Sequence, residues 1–149
     1  MQSELPNVAM AVSSDKGDSL NVHPTSKQPI GERLARIALH NLYDFGNVVP
    51  SGPAIKEASV VGDGIVRLTF DYADGLSTAD GKHPATFEIA EEEGVYKPAE
   101  ARIEGNTVLV MAADVAHPRF VRYGWQPFTR ANLVNGAKLP ASTFRVEVR

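Results

Sequence analysis

The chain has 149 residues, of which 43% are hydrophobic and 22% charged, so it can bury the core of one ordinary domain. Its formal net charge of −3 argues against a nucleic-acid or anionic-membrane partner, and no apolar run approaches the roughly 20 residues of a transmembrane helix. The absence of cysteine excludes disulfides, a cysteine nucleophile and thiolate metal sites. Twelve glycines and ten prolines favour short strands joined by turns.

The first third of the chain has the pattern of a strand, a polar loop and a helix. Residues 8–12 form a short apolar run between polar residues, which predicts a buried strand of the kind found in parallel sheets. A helix is predicted over residues 31–45, because apolar side chains there recur at spacings of three and four. This apolar stripe comprises Ile30, Leu34, Ile37, Ala38 and Leu42.

The pattern changes near residue 50. Two prolines and a glycine within residues 49–53 predict a turn or linker, and the apolar residues beyond it alternate with period two. The predicted strands are residues 64–72, 85–90, 99–103, 107–111, 120–125 and 144–148. Strands this short and this closely spaced indicate an antiparallel β-sandwich, immunoglobulin-like or jelly-roll. We therefore divide the chain into residues 1–49 and a sandwich over residues 50–149.

Two short motifs are typical of serine hydrolases. Residues 17–20 spell G-D-S-L and residues 114–118 match D-x-x-H-P, so Ser19 would attack, His117 would be its base and Asp114 would orient the imidazole. The β-rich region has almost no helical pattern, and therefore no parallel α/β sheet to bring the two motifs together. Four-residue matches also arise by chance. A small GDSL esterase using Ser19 is kept only as a second alternative.

A longer series of motifs covers residues 5–38. It consists of L-P-N-x-x-M-A-V at 5–12, D-x-G-D at 15–18, H-P at 23–24, K-Q at 27–28 and G-x-R-L-A at 31–35. Their order and gaps resemble the final catalytic segment of the sialate O-acetylesterases, members of the SGNH-hydrolase superfamily. The resemblance continues into the β-rich region, as in F-E-I-A at 87–90 and V-R-Y-G-W at 121–125. It implies that residues 1–49 are the closing strand, histidine loop and helix of an α/β SGNH catalytic domain.

The resemblance also assigns a catalytic residue. His23 corresponds to the family's general base, which takes the proton of a serine hydroxyl and later delivers it to the departing sugar hydroxyl. Asp18 or Asp15 would accept from the other ring nitrogen and set the tautomer of the imidazole. The family often has an aspartate two residues before this histidine, where the present sequence has Asn21.

The sequence contains no Gly-Gln-Ser-Asn-like stretch, where the family carries its nucleophile, and lacks the family's oxyanion-hole donors. We therefore expect the C-terminal part of a carbohydrate esterase that removes O-acetyl groups from sialic acid or related sugars, inactive by itself. The expected partners are the acetylated sugar of the full enzyme, and either the missing N-terminal catalytic portion or a second copy of the chain. No cofactor or metal is expected, and the parent protein is expected to be periplasmic or secreted.

The first alternative is a non-catalytic module, in which the β-sandwich binds carbohydrate or has a structural role. Tyr123 and Trp125 lie two residues apart in a predicted strand and would form a platform for a sugar ring. Aromatic residues in a sandwich are more often part of the core, so the same pair also fits a purely structural role.

Overall fold

A computed structural model describes residues 8–21, 23 and 25–149 and confirms a mostly β fold with antiparallel sheets and one helix. A 3-10 turn, Ser14–Lys16, precedes the helix. The elements are α1 Gln28–Leu42, β1 Ala54–Gly62, β2 Ile65–Asp71, β3 Ser77–Thr78, β4 Phe87–Ala90, β5 Lys97–Pro98, β6 Glu100–Glu104, β7 Thr107–Met111, β8 Phe120–Tyr123, β9 Leu133–Val134 and β10 Phe144–Glu147. No helix among the described residues is long and apolar enough to cross a membrane.

Two four-stranded sheets form the sandwich. Sheet one has the strand order β1-β2-β7-β6 and sheet two the order β10-β8-β4-β5, while β3 and β9 form a small separate ladder. Every strand pair is antiparallel, so alternate side chains of each strand face the other sheet. The alternation predicted for residues 64–72 places Val66, Leu68 and Phe70 in the core.

Aromatic rings fill the centre of this core. The rings of Phe87 and Tyr123 lie 4.6 Å apart, and that of Phe144 lies 5.5 Å from Tyr123 and 5.9 Å from Phe70. The backbone N–H of Leu133 donates to the Tyr123 hydroxyl at 2.8 Å, so the one polar atom of this ring has a partner. Burial raises the pKa of Tyr123 to about 12. Tyr123 is therefore a core residue rather than half of a sugar platform.

β1, the longest strand, does not follow from the alternation of apolar residues in the sequence. Ala58 is its only buried residue, since β1 lies at the edge of sheet one and its remaining side chains are partly or fully exposed. Buried and exposed side chains therefore do not alternate regularly along β1. The end of the described chain completes this edge, because the Arg149 N–H donates to the Ala58 carbonyl at 2.9 Å. The Val148 N–H donates to the Arg119 carbonyl at 2.8 Å, just before β8 in sheet two.

The predicted turn at residues 49–53 is confirmed as the connection between α1 and the sandwich. Gly52 is buried against the loop before β10, where a Cβ would overlap the backbone of Pro140. The side-chain amide of Asn135, only 1% exposed, donates to the carbonyls of Ser51 (2.9 Å) and Tyr72 (3.0 Å). Its oxygen accepts the Leu139 N–H at 3.1 Å. One side chain thereby joins three loops.

The predicted strand at residues 8–12 is wrong. These residues have no regular secondary structure, and Val8 and Met10 are 47% and 59% exposed. A strand requires a neighbouring strand to satisfy its backbone, and no strand of the described chain lies beside this segment. The helix is confirmed, although it begins at Gln28 and ends at Leu42. Its start lies three residues before the predicted one because Pro29 is accommodated in the first turn.

Candidate functional site

A partly buried ion pair between Arg33 and Asp15 fixes the start of the loop that carries His23. Arg33, 9% exposed, directs Nη1 to Asp15 Oδ1 at 2.6 Å and Nη2 to Asp15 Oδ2 at 2.7 Å, and Nη1 also donates to the Val12 carbonyl at 2.5 Å. Such a two-point charged contact is strong and directional. Burial by itself raises the pKa of Asp15, but the hydrogen bond and charge of Arg33 outweigh it and the net pKa is lowered.

Two side chains shape the loop around His23. Asp18 Oδ1 accepts the Leu20 N–H at 2.8 Å, and Asn21 Oδ1 accepts the backbone N–H of His23 at 2.9 Å. Both are turns in which a side chain caps the backbone two residues ahead. His23 itself is exposed, and no described residue hydrogen-bonds to its imidazole. The loop thus presents the imidazole to solvent.

Asp15, Asp18 and His23 lie in or next to one loop, but neither carboxylate hydrogen-bonds to the imidazole of His23 among the described residues. Asp15 contacts Arg33 with both carboxylate oxygens, so its hydrogen bonds orient the helix rather than an imidazole. Asp18 has Oδ2 without a partner among the described residues. The motif residues 5–7, 22 and 24 lie outside the described part of the chain. The catalytic roles of His23 and Asp18 stay predictions.

The alternative triad is not assembled among the described residues. Asp114 Oδ2 accepts from Lys97 Nζ at 2.8 Å, which holds the pKa of that carboxyl below its usual value. The backbone N–H of His117 donates to Glu91 at 2.8 Å. Asp114 and His117 line a cleft of about 760 Å³ between the β1–β2 turn and the connection after β7, and Ser19 is not one of its lining residues.

The loop after β8 combines exposed aromatic rings with polar groups. Trp125 is 51% exposed, unlike Tyr123 two residues earlier. The next residue, Gln126, lies 3.4 Å from Glu88. Glu88 forms a two-point pair with Arg122 (2.8 and 2.9 Å), whose guanidinium lies 4.0 Å from the centre of the Tyr96 ring. Aromatic surface flanked by hydrogen-bonding groups is suited to a sugar ring, whose faces are apolar and whose edges carry hydroxyls.

This loop also lies against the loop that carries His23. Phe128, 43% exposed, has its ring atom Cε2 4.0 Å from the position that a Cβ on Gly17 would occupy. Sandwich and histidine loop are therefore neighbours at this end of the molecule. Among the described residues, no cluster of three acidic or histidine side chains is arranged to hold a metal ion.

Sequence reasoning missed Arg33 and Asn135 as organising residues. Arg33 did carry a signal, because a charged residue at this position interrupts the apolar stripe between Ile30 and Leu34. A buried arginine requires a carboxylate partner, and Asp15 supplies it. Asn135 carried no comparable signal, because loops are rich in asparagine whether or not it is buried.

No protein-family model and no curated protein matches the sequence. Among solved structures, the chain is similar to a carbohydrate acetylesterase from Xanthomonas citri, with 38% identity and a TM-score of 0.81 over 89% of this chain and 30% of that one. It also matches the N-terminal part of the bacterial S-layer protein SbsC, with 16% identity and a TM-score of 0.49 over 80% and 28% of the two chains. The chain thus has a carbohydrate esterase as a structural relative, and it spans less than a third of that enzyme's length.

Proposed function

We propose that this chain is the histidine-bearing C-terminal part of a carbohydrate acetylesterase. The observation that carries the proposal is the similarity to the Xanthomonas citri enzyme, at 38% identity over 89% of this chain. At that level of identity the two proteins are similar in sequence as well as in fold. The match covers only 30% of the enzyme, so the nucleophile and the oxyanion-hole donors would come from a portion not contained in these 149 residues.

In this proposal His23 is the general base. It accepts the proton of a serine hydroxyl as the serine oxygen attacks the acetyl carbonyl, and donates that proton to the sugar oxygen as the C–O bond breaks. Water then attacks the acyl-enzyme carbonyl and loses a proton to His23, which returns that proton to the serine oxygen as the ester bond breaks and the acetyl group leaves as acetic acid. Exposure of the imidazole and anchoring of the loop by Asp15 and Arg33 support this role.

Asp18 is proposed to orient the imidazole. Its Oδ1 is committed to the Leu20 N–H, and its second oxygen is the acceptor proposed for the ring N–H of His23. The contact would form when the loop packs against the remainder of the enzyme. A carboxylate here would stabilise the imidazolium that forms during each proton transfer, which the neutral Asn21 would do less well.

The finer assignment concerns substrate and superfamily. We propose an SGNH-type esterase acting on O-acetylated sialic acid or a related sugar, because the motif series over residues 5–38 matches that family in order and spacing. This assignment is separable from the general one. A carbohydrate acetylesterase with another sugar preference would leave the role of His23 intact.

The test is a chimera in which this chain replaces the matching 30% of the Xanthomonas citri acetylesterase. With p-nitrophenyl acetate, we expect turnover by the chimera, and a loss of about 10²–10⁴-fold in kcat on His23→Ala. His83→Ala, which removes another exposed loop histidine, is the matched control and should retain activity. A folded chimera that is equally active without His23 would contradict the proposal. O-acetylated sialic acid compared with O-acetylated xylose then tests the substrate.

The isolated chain provides a second test of the proposal. We expect no esterase activity from it, because no nucleophile and oxyanion hole are assembled among the described residues. Turnover by the chain alone that disappears on Ser19→Ala would instead establish the small GDSL esterase.

A second candidate function is favoured by the exposure of Trp125. As a non-catalytic module, the sandwich would bind a glycan on the surface formed by Trp125 and the Arg122–Glu88 pair. Trp125 is the only tryptophan of the sequence, so its fluorescence reports directly on a titration with sugars. Saturable quenching would support the module, together with binding measured calorimetrically that is lost in Trp125→Ala and retained in Phe128→Ala.

A further inference from the structure

A small cavity lies where the end of α1 meets the sandwich, away from His23. Its volume is about 180 Å³, and its walls include His40, Val48, Pro50, Tyr72, Asp74 and Asn135. This is below the roughly 300–1,000 Å³ of pockets for drug-sized ligands, so it suits one small molecule. About 18 Å of helix separates His40 from Gln28, the residue where α1 begins after the histidine loop.

The cavity wall is rigidly built. Asn135 is almost fully buried, and its three hydrogen bonds join the wall to the α1–β1 connection and to the loop before β10. The Tyr72 carbonyl accepts one of these bonds, and Tyr72 has φ 56°, a conformation that bulky side chains rarely adopt. The Tyr72 side chain, in a residue 47% exposed, is thereby held at the cavity. Strained residues of this kind concentrate at binding sites.

Two of the lining side chains, those of His40 and Asp74, carry hydrogen-bond acceptors. His40 Nδ1 lies 2.9 Å from the Val48 carbonyl, which can only accept, so Nδ1 carries a proton and Nε2 is the acceptor in that tautomer. Asp74 receives the Asn106 side-chain amide on Oδ1 at 3.2 Å, which leaves Oδ2 for a ligand. Together with the Tyr72 ring, these groups match a neutral molecule that has several hydroxyl donors and an apolar face.

We propose that this cavity binds a single neutral sugar ring. The ring hydroxyls donate to Asp74 and to His40 Nε2, and an apolar face of the sugar rests on Tyr72. The Asp74 carboxylate repels anionic ligands, so sugar acids are excluded. The site is independent of the esterase proposal, because none of its residues belongs to the histidine loop.

The test is an NMR titration of the ¹⁵N-labelled full chain with methyl β-D-glucoside and, separately, N-acetylglucosamine. We expect saturable shifts of the amides of residues 46–49, 72–74 and 135–137 with at least one of these neutral sugars. N-acetylneuraminic acid, which is anionic, should produce none at the same concentration. Asp74→Asn and Tyr72→Ala should each weaken binding at least tenfold. Tyr43→Ala, which removes an exposed tyrosine outside the cavity wall, should leave it unchanged.

Several outcomes overturn the proposal. One is the absence of saturable shifts at these amides with either neutral sugar. A second is unchanged binding in Asp74→Asn; this variant preserves the shape of the side chain, so the test stays valid even if Tyr72→Ala unfolds. A third is binding of N-acetylneuraminic acid as tight as that of the neutral sugars. Shifts confined to the surroundings of Trp125 would locate sugar binding elsewhere, and tighter binding of the cationic glucosamine would identify a cation site instead.

Discussion

Residues 8–49 and residues 54–149 are stabilised in opposite ways. The sandwich buries a continuous apolar core that extends from Ala58 to Phe144. In α1 the only buried residue is the charged Arg33, and among the described residues seven of the thirteen large hydrophobic side chains that are exposed lie in residues 8–45. The sandwich is therefore stable through its own packing. The preceding segment is held by the Asp15–Arg33 ion pair and a few loop contacts, and its apolar side chains need a further surface to cover them.

The largest expected effect comes from a matched pair of leucines. Leu68 is fully buried in β2, and Leu68→Ala should lower the free energy of unfolding by about 2–5 kcal/mol, because it removes packed atoms and leaves a cavity. Leu34 on α1 is 53% exposed, and Leu34→Ala should change the free energy by about 0.5 kcal/mol or less. Urea unfolding of the two variants measures both. Equal losses would show that α1 belongs to the same packed unit.

The next effect concerns the connection between the two regions. Gly52→Ala places a methyl group on the backbone of Pro140, which cannot move without displacing the loop before β10, and should cost about 1–3 kcal/mol. Gly46→Ala in the same connection meets no atom within 4 Å and is the control. Thermal unfolding measures the difference. A Gly52→Ala variant as stable as the control would mean that the loop and the connection are not tightly packed.

A smaller and local effect is expected at the ion pair. Asp15→Asn removes the charge that Arg33 binds, so hydrogen-exchange protection of the first turns of α1 should fall about tenfold while the sandwich is unaffected. Asp18→Asn in the same loop preserves an acceptor for the Leu20 N–H and is the control. Equal loss of protection in both variants would contradict an anchoring role specific to Asp15.

The same pair predicts a pH dependence. The pKa of Asp15 is lower in the folded chain than the ordinary value of an aspartate carboxyl, so the pair contributes its full stabilisation above that ordinary value. The contribution is lost as the pH falls through the lower, folded pKa. Protection of α1 should thus be constant from neutral pH down to about pH 5, and should fall only in stronger acid. Loss between pH 7 and pH 5 would indicate a different titrating group.

The smallest effect tests what covers the helix. We expect weak self-association through the exposed apolar residues of α1, seen as a mass that rises with concentration in size-exclusion chromatography with light scattering. Leu34→Glu with Leu42→Glu should return the mass to that of a monomer. A wild-type chain that stays monomeric at all concentrations would rule out a second copy as the cover.

Most of the sandwich was predictable, because its strands bury one face. In β2 the buried Val66, Leu68 and Phe70 alternate with more exposed residues, as predicted, and the predicted bounds of β7 coincide with the observed ones. β1 was missed because an edge strand with one buried residue carries no alternation. The 8–12 strand was predicted wrongly because an apolar run shows hydrophobicity without showing which neighbour would pair with it.

The site was less predictable for a related reason. His23 follows from motif spacing, which is a local property of the sequence. The partners Asp15 and Arg33 are 18 positions apart, and the hydrogen bond from Asn135 to Ser51 spans 84. Contacts over such separations depend on how the whole chain closes, which no local pattern records.

The pairing of Arg149 with β1 has a consequence for the order of folding. The two segments are about 90 residues apart in sequence, so the edge of sheet one can be completed only after a large loop has closed, whereas the β1–β2 hairpin can form locally. We expect the β1–β2 hairpin to form early, and the hydrogen bonds of Val148 and Arg149 that link the two sheets to form last. Trimming the final residues should then mainly speed unfolding and leave the rate of folding almost unchanged.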